Sequence, residues 1–81
     1  MDDILHFLLT NIVEAPESID IQKNQDDFSI TYTLDAAPAD IGKIIGRGGK
    51  TINAMTNIMN LTNFKRGQSR EKIALRIKED I

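Results

Sequence analysis

Cysteine is absent from this chain, so disulfides and thiolate metal sites are excluded and a reducing compartment is permitted. A single histidine, His6, has no companions for metal or nucleophile chemistry and reads as a surface or packing residue. The acids concentrate away from most of the bases, and no nucleophile, general base or metal cluster is recognisable. An enzyme is therefore not expected, nor a cofactor, nor a small-molecule substrate. Apolar runs last only a few residues, too short for a membrane span. A basic leader is missing too: Asp2 and Asp3 open the chain where a secretory signal needs positive charge, so a cytoplasmic location is expected.

What is present is globular. Hydrophobic residues make up 41% and charged residues 27% of 81 residues, the composition of one small domain, taken as 1–81. A chain of this size buries roughly 60% of its unfolded surface, which leaves room for one core and modest stability.

The net charge of −2 hides a division. Residues 1–40 carry nine acids against Lys23 alone, whereas residues 41–81 carry nine bases against three acids, giving −8 and +6. A molecule so divided presents one side to anions, although an uneven charged surface can also be simply a solvated one.

At the head of the basic half lies Ile44-Ile45-Gly46-Arg47-Gly48-Gly49-Lys50-Thr51-Ile52. Glycines permit positive φ and close approach of another molecule, and a helix starting just beyond offers free N–H groups to a phosphate. Arg47 and Lys50 add charge, and Ile44, Ile45 and Ile52 anchor the flanks. A nucleotide P-loop would need glycine at the position of Ile44, and the dinucleotide fingerprint would need it at Thr51, so both fail. A phosphate cradle and a plain glycine chain reversal between helices remain.

Around this loop the elements can be read from periodicity. Ile4, Leu5, Leu8, Leu9, Ile12 and Val13 form an apolar stripe on a helix capped by Asp2 or Asp3 and ended by Pro16. Ile19 and Ile21, then Phe28, Ile30, Tyr32 and Leu34 after a polar turn at 24–27, alternate with polar residues as an antiparallel hairpin. Phe28 and Tyr32 share the apolar parity and are expected in the core rather than as a base-stacking pair. Pro38 opens a helix to Ile45, and a further helix runs from about Lys50 to Leu61. That helix has two apolar sides. Ile52, Met55 and Met59 suit the core, while Ala54, Ile58 and Leu61 form a second stripe suited to a subunit contact or to burial under the next loop. A basic loop is expected from Thr62 to Arg70, then a strand in which Ile73, Leu75 and Ile77 alternate with Lys72, Arg76 and Lys78.

The segment Ile45-Gly46-Arg47-Gly48-Gly49-Lys50-Thr51-Ile52 matches I-G-x-x-G-x-x-I, and it resembles the loop with which KH domains clamp about four nucleotides of single-stranded nucleic acid. The element order extends the resemblance to most of the chain. It implies an α+β fold, the type II (prokaryotic) KH domain of order α-β-β-α-α-β, with a three-stranded sheet packed against three helices. Among such domains the chain is similar to the KhpA type of bacterial protein, which consists of a single KH domain. That resemblance implies a single-stranded RNA partner, an RNA chaperone role, and a homodimer or a heterodimer with a larger Jag-type KH protein that influences cell shape and cell-wall synthesis.

Carried over by position, the resemblance places Gly46, Arg47, Gly48, Gly49 and Lys50 at the RNA backbone with Lys43 nearby. Ile41, Ile44 and Ile45 become the groove floor or its support, and Arg70, Arg76 and either Lys65 or Arg66 the opposite wall. The assembly stripe is Ala54, Ile58 and Leu61. Gly48 leaves Arg47 as the only cation among the four loop residues, so weak, salt-sensitive binding of low sequence specificity is expected.

Overall fold

Helix α1, Asp2–Thr10, buries Leu5 and Leu9 and ends well before Pro16. The computed structural model describes residues 2–66 and 71–78, and of Asp2 and Arg66 the backbone only. The expected continuation of α1 to Val13 does not form. Asp40 explains why: its carboxylate accepts the N–H groups of Glu14 and Ala15 at 3.1 and 3.0 Å, drawing the chain out of the helix. Two carbonyls near the end of the helix keep their helical partners, Asn11 N–H donating to Phe7 O at 3.3 Å and Val13 N–H to Leu9 O at 3.1 Å. Thr10 Oγ1 and Asn11 Nδ2 both donate to Phe7 O, at 3.0 and 2.7 Å, and Val13 is still delivered to the core.

After a single turn at Pro16–Ser18 come β1, Asp20–Gln25, and β2, Ser29–Asp35, paired antiparallel as expected. The intervening turn is shorter than the sequence suggested, because pairing of Gln25 with Ile30 carries β1 through residues without β character. Asp26 builds the turn by accepting the N–H groups of Phe28 and Ser29 at 2.8 and 2.7 Å. Those bonds, that of Phe28 foremost, hold its carboxyl below the ordinary value of 3.8. One expectation is corrected here. Phe28 has the parity of the core residues but lies in the turn, before β2 begins, and is 84% exposed. Tyr32 and Leu34 are fully buried.

Helix α2, Pro38–Ile45, starts at Pro38 as read, and α3 spans Lys50–Arg66. The expected loop from Thr62 is thus helical as far as Arg66. Strand β3, Lys72–Ile77, closes the order and lies parallel to β2, giving a sheet ordered β1-β2-β3. A parallel pair needs a long crossover, and here it is made of α2, the glycine loop and α3. The result is an α+β fold with three helices on one face of a three-stranded sheet. Leu5, Leu9, Val13, Ile30, Tyr32, Leu34, Ile44, Met55, Met59 and Ile73 form the core between them. Fully burying one such side chain contributes about 1.5–3 kcal/mol, so these ten dominate the stability. No helix among the described residues is long and apolar enough to cross a membrane.

Candidate nucleic-acid interface

The glycine loop is built by its dihedral angles. Gly46, Gly48 and Gly49 have φ of 75°, 64° and 81°, a region other L-residues seldom adopt, and no other described residue does so. The Gly46 N–H donates to Gly42 O at 2.8 Å and ends α2; the Gly49 N–H donates to Gly46 O at 3.2 Å and makes a single turn of Arg47–Gly49.

The three glycines differ in their surroundings. A Cβ at Gly46 would run into the side chain of Thr51 and come within 2.8 Å of its backbone nitrogen. A Cβ at Gly49 would meet only Asn53 Nδ2 at 3.7 Å, and one at Gly48 would meet nothing within 4 Å. The entrance of the turn is closed and its tip is open. Arg47 and Lys50 flank the tip, both exposed. Helix α3 begins at Lys50 with no acid in its first turn, so its N-terminal N–H groups and dipole add to the positive field of the loop.

Lys43 is turned elsewhere. Its ammonium lies 2.9 Å from Glu14 Oε1 and 3.7 Å from Asp40 Oδ1, joining α2 to the chain after α1. The hydrogen bond to Glu14 is the chief reason its pKa is raised. Asp40, almost completely buried, is held below 3.8, first by the N–H of Glu14 against the opposing effect of burial, then by Ala15 and Lys43. Lys43, expected close to phosphate, is engaged here in holding α2 to the segment that follows α1.

The aliphatic residues divide as well. Ile44 is wholly in the core, so it supports the loop from beneath, while Ile41 and Ile45 are half-buried. Arg76 is exposed and pairs in register with Thr33, on the sheet face turned away from the helices, so the structure does not bring it to the glycine loop's side of the sheet. Lys65 sits on the last turn of α3, about 22 Å along the helix from Lys50 at 1.5 Å per residue, and does not join the loop. Phe64, at that same end, is 81% exposed. Arg70 lies outside the described residues.

Along α3, Met55 and Met59 enter the core as read, with Ile52 half-buried. Ala54 is exposed, and Ile58 and Leu61 are 44% and 57% exposed, continuing toward Phe64 as an apolar stripe that nothing in the chain covers among the described residues.

Three contributors escaped the sequence reading. Asn53 lies beneath Gly49, and Asn60 ties α3 to β3: its Nδ2 donates to Ile73 O at 2.9 Å and its Oδ1 accepts the Ile73 N–H at 2.8 Å. Asn63, buried, donates to Glu71 O at 3.2 Å. A signal was available, since asparagine is a poor helix former and α3 holds Asn53, Asn57, Asn60 and Asn63. Repeated asparagines within a helix point to partners for their amides.

Residues 2–77 match the family model described as the KhpA/KhpB KH domain. The chain is 39% identical over 80 residues, 99% of each chain, to the RNA-binding protein KhpA of Chlamydia caviae. It is 28% identical over 79 residues to the RNA-binding protein KhpA of Listeria monocytogenes, covering 98% of this chain and 100% of that one. With the RNA-binding protein KhpA of Oceanobacillus iheyensis it shares 29% identity over 59 residues, 73% of this chain and 79% of that one. No solved structure gives a significant match.

Proposed function

Because the chain belongs to the KhpA/KhpB KH-domain family, we propose that it binds RNA, gripping the backbone of a short single strand at Gly46–Gly49. The observation that carries this reading is the contrast within the loop: Gly46 is locked against Thr51, while Gly48 stands open between Arg47 and Lys50. A polyanion can approach the backbone there without displacing any side chain. Gly46, Arg47, Gly48, Gly49 and Lys50 form the grip, and Ile41 and Ile45 its apolar side. With Lys43 engaged by Glu14, the cations at the grip are Arg47 and Lys50. Two neutralised phosphates give a slope of about −1.4 for log affinity against log salt on single strands. Such a grip holds many RNAs loosely, which suits an RNA chaperone in the cytoplasm.

Replacing Arg47 and Gly48 by aspartate tests this. RNA binding at low salt is expected to vanish while circular dichroism stays that of the parent protein. Retention of parental affinity would remove the loop from the binding site.

The stripe of Ala54, Ile58 and Leu61 favours a second reading beside the first: pairing with another copy or with a larger KH protein. Ile58→Lys is expected to halve the sedimentation mass of a dimer, and an unchanged mass would exclude the stripe from the contact.

A further inference from the structure

Strand β3 is an edge strand, and edge strands carry a row of backbone groups available to a new partner. Its hydrogen bonds show which groups those are. Lys72 N–H donates to Phe28 O and Lys78 N–H to Leu34 O, so the even-numbered residues of β3 point their backbone groups into the sheet. By alternation Ile73, Leu75 and Ile77 point theirs outward. At Ile73 both groups are taken by the single amide of Asn60, which also donates to Thr56 O at 3.0 Å within its own helix. No partner is found among the described residues for the outward N–H and C=O of Leu75.

The bonds from Asn60 to Ile73 and from Asn63 to Glu71 also fix direction. As α3 advances β3 recedes, so the two run antiparallel, with the glycine loop at the Ile77 end. From Lys50 to Asn60 the helix covers about 15 Å, and from Ile73 to Ile77 the strand covers about 13 Å. The two walls therefore share one length, which begins at the loop and stops at Asn60. Asn53 and Asn57, exposed, stand on the same helical row as Asn60.

We infer that Asn60 is the end stop of the RNA groove. Its amide occupies the outward backbone pair at Ile73 as a nucleobase or another strand would, leaving the Leu75 end open. This rests on the RNA reading above. A single strand held at Gly46–Gly49 lies along the open half of the β3 edge and cannot continue past Asn60, so the footprint is short and set by one side chain.

Amide hydrogen exchange on the unaltered protein, with and without oligouridylates of two to eight nucleotides, gives the first test. The Ile73 amide is expected to exchange slowly without RNA and to be unchanged by it, whereas the Leu75 amide exchanges fast and slows when RNA binds. New protection at Ile73 on binding, or an unprotected Ile73 in the free protein, overturns the inference. Affinity against length gives the second test. The parent is expected to reach a plateau, while Asn60→Ala continues to gain beyond it by about two- to tenfold, the worth of one neutral hydrogen bond. Equal plateaus for the parent and Asn60→Ala overturn the end stop alone; absence of binding by the parent at every length overturns the RNA reading as well.

Discussion

Gly46 and Gly48 lie two residues apart, both with positive φ, yet they serve opposite ends. At Gly46 the restriction comes from within: Thr51 fills the place of a side chain, so the glycine is required by packing as well as by backbone angle. At Gly48 it comes only from the angle, and the space above is empty. A glycine pressed against its own chain maintains a shape, and a glycine facing open space keeps that shape accessible. A motif written as letters does not distinguish the two.

The largest effect that would sharpen this contrast is Gly46→Ala. Left-handed strain and the collision with Thr51 together are expected to cost about 2–4 kcal/mol in urea unfolding. A loss under 1 kcal/mol would show that the entrance is not packed as described.

Next is Asp40→Asn, which opposes an amide N–H to one of the two N–H groups the carboxylate receives. Because folding lowers the pKa of Asp40, its contribution is fully present above the ordinary value of 3.8 and is lost as pH falls through the lower folded value. The variant should therefore melt below the parent at pH 7, with the gap narrowing toward pH 2. A gap that widened in acid would reverse the sign and contradict the geometry.

A smaller change is expected for Gly48→Asn, since asparagine tolerates positive φ and meets nothing there. The cost should be about 1 kcal/mol or less, against several-fold more for the same replacement at Gly46. Equal costs would erase the distinction between entrance and tip. Smallest is Arg47→Gln, expected to leave stability unchanged and to reduce the salt slope of RNA binding by about 0.7.

How much of this was legible in the sequence follows the range of the forces involved. The hairpin, α2 and the glycine turn depend on neighbours in the chain, and alternation, Pro38 and Gly46 announced them. Phe28 kept the right parity but fell to a turn that Asp26 makes by local hydrogen bonding, a competing local signal. The shortening of α1, the diversion of Lys43 and the role of Asn60 each depend on residues 13 to 29 positions away, on other elements. No periodicity encodes such a meeting. The extension of α3 to Arg66 belongs with them, because Asn63 reaches Glu71 from inside what read as a polar loop.

The parallel pairing of β2 with β3 joins Ile30 to Ile73 across the whole crossover that holds the glycine turn. A growing polypeptide therefore makes its hairpin, α2 and the turn well before it makes the strand that α3 must lie beside. Until β3 has emerged, Asn60 has no Ile73 to hold and Met59 has only part of its core. The proposed grip on RNA would thus be a late event in the life of the molecule: a nascent chain carries every residue of the motif for some time before α3 has the strand it must lie beside.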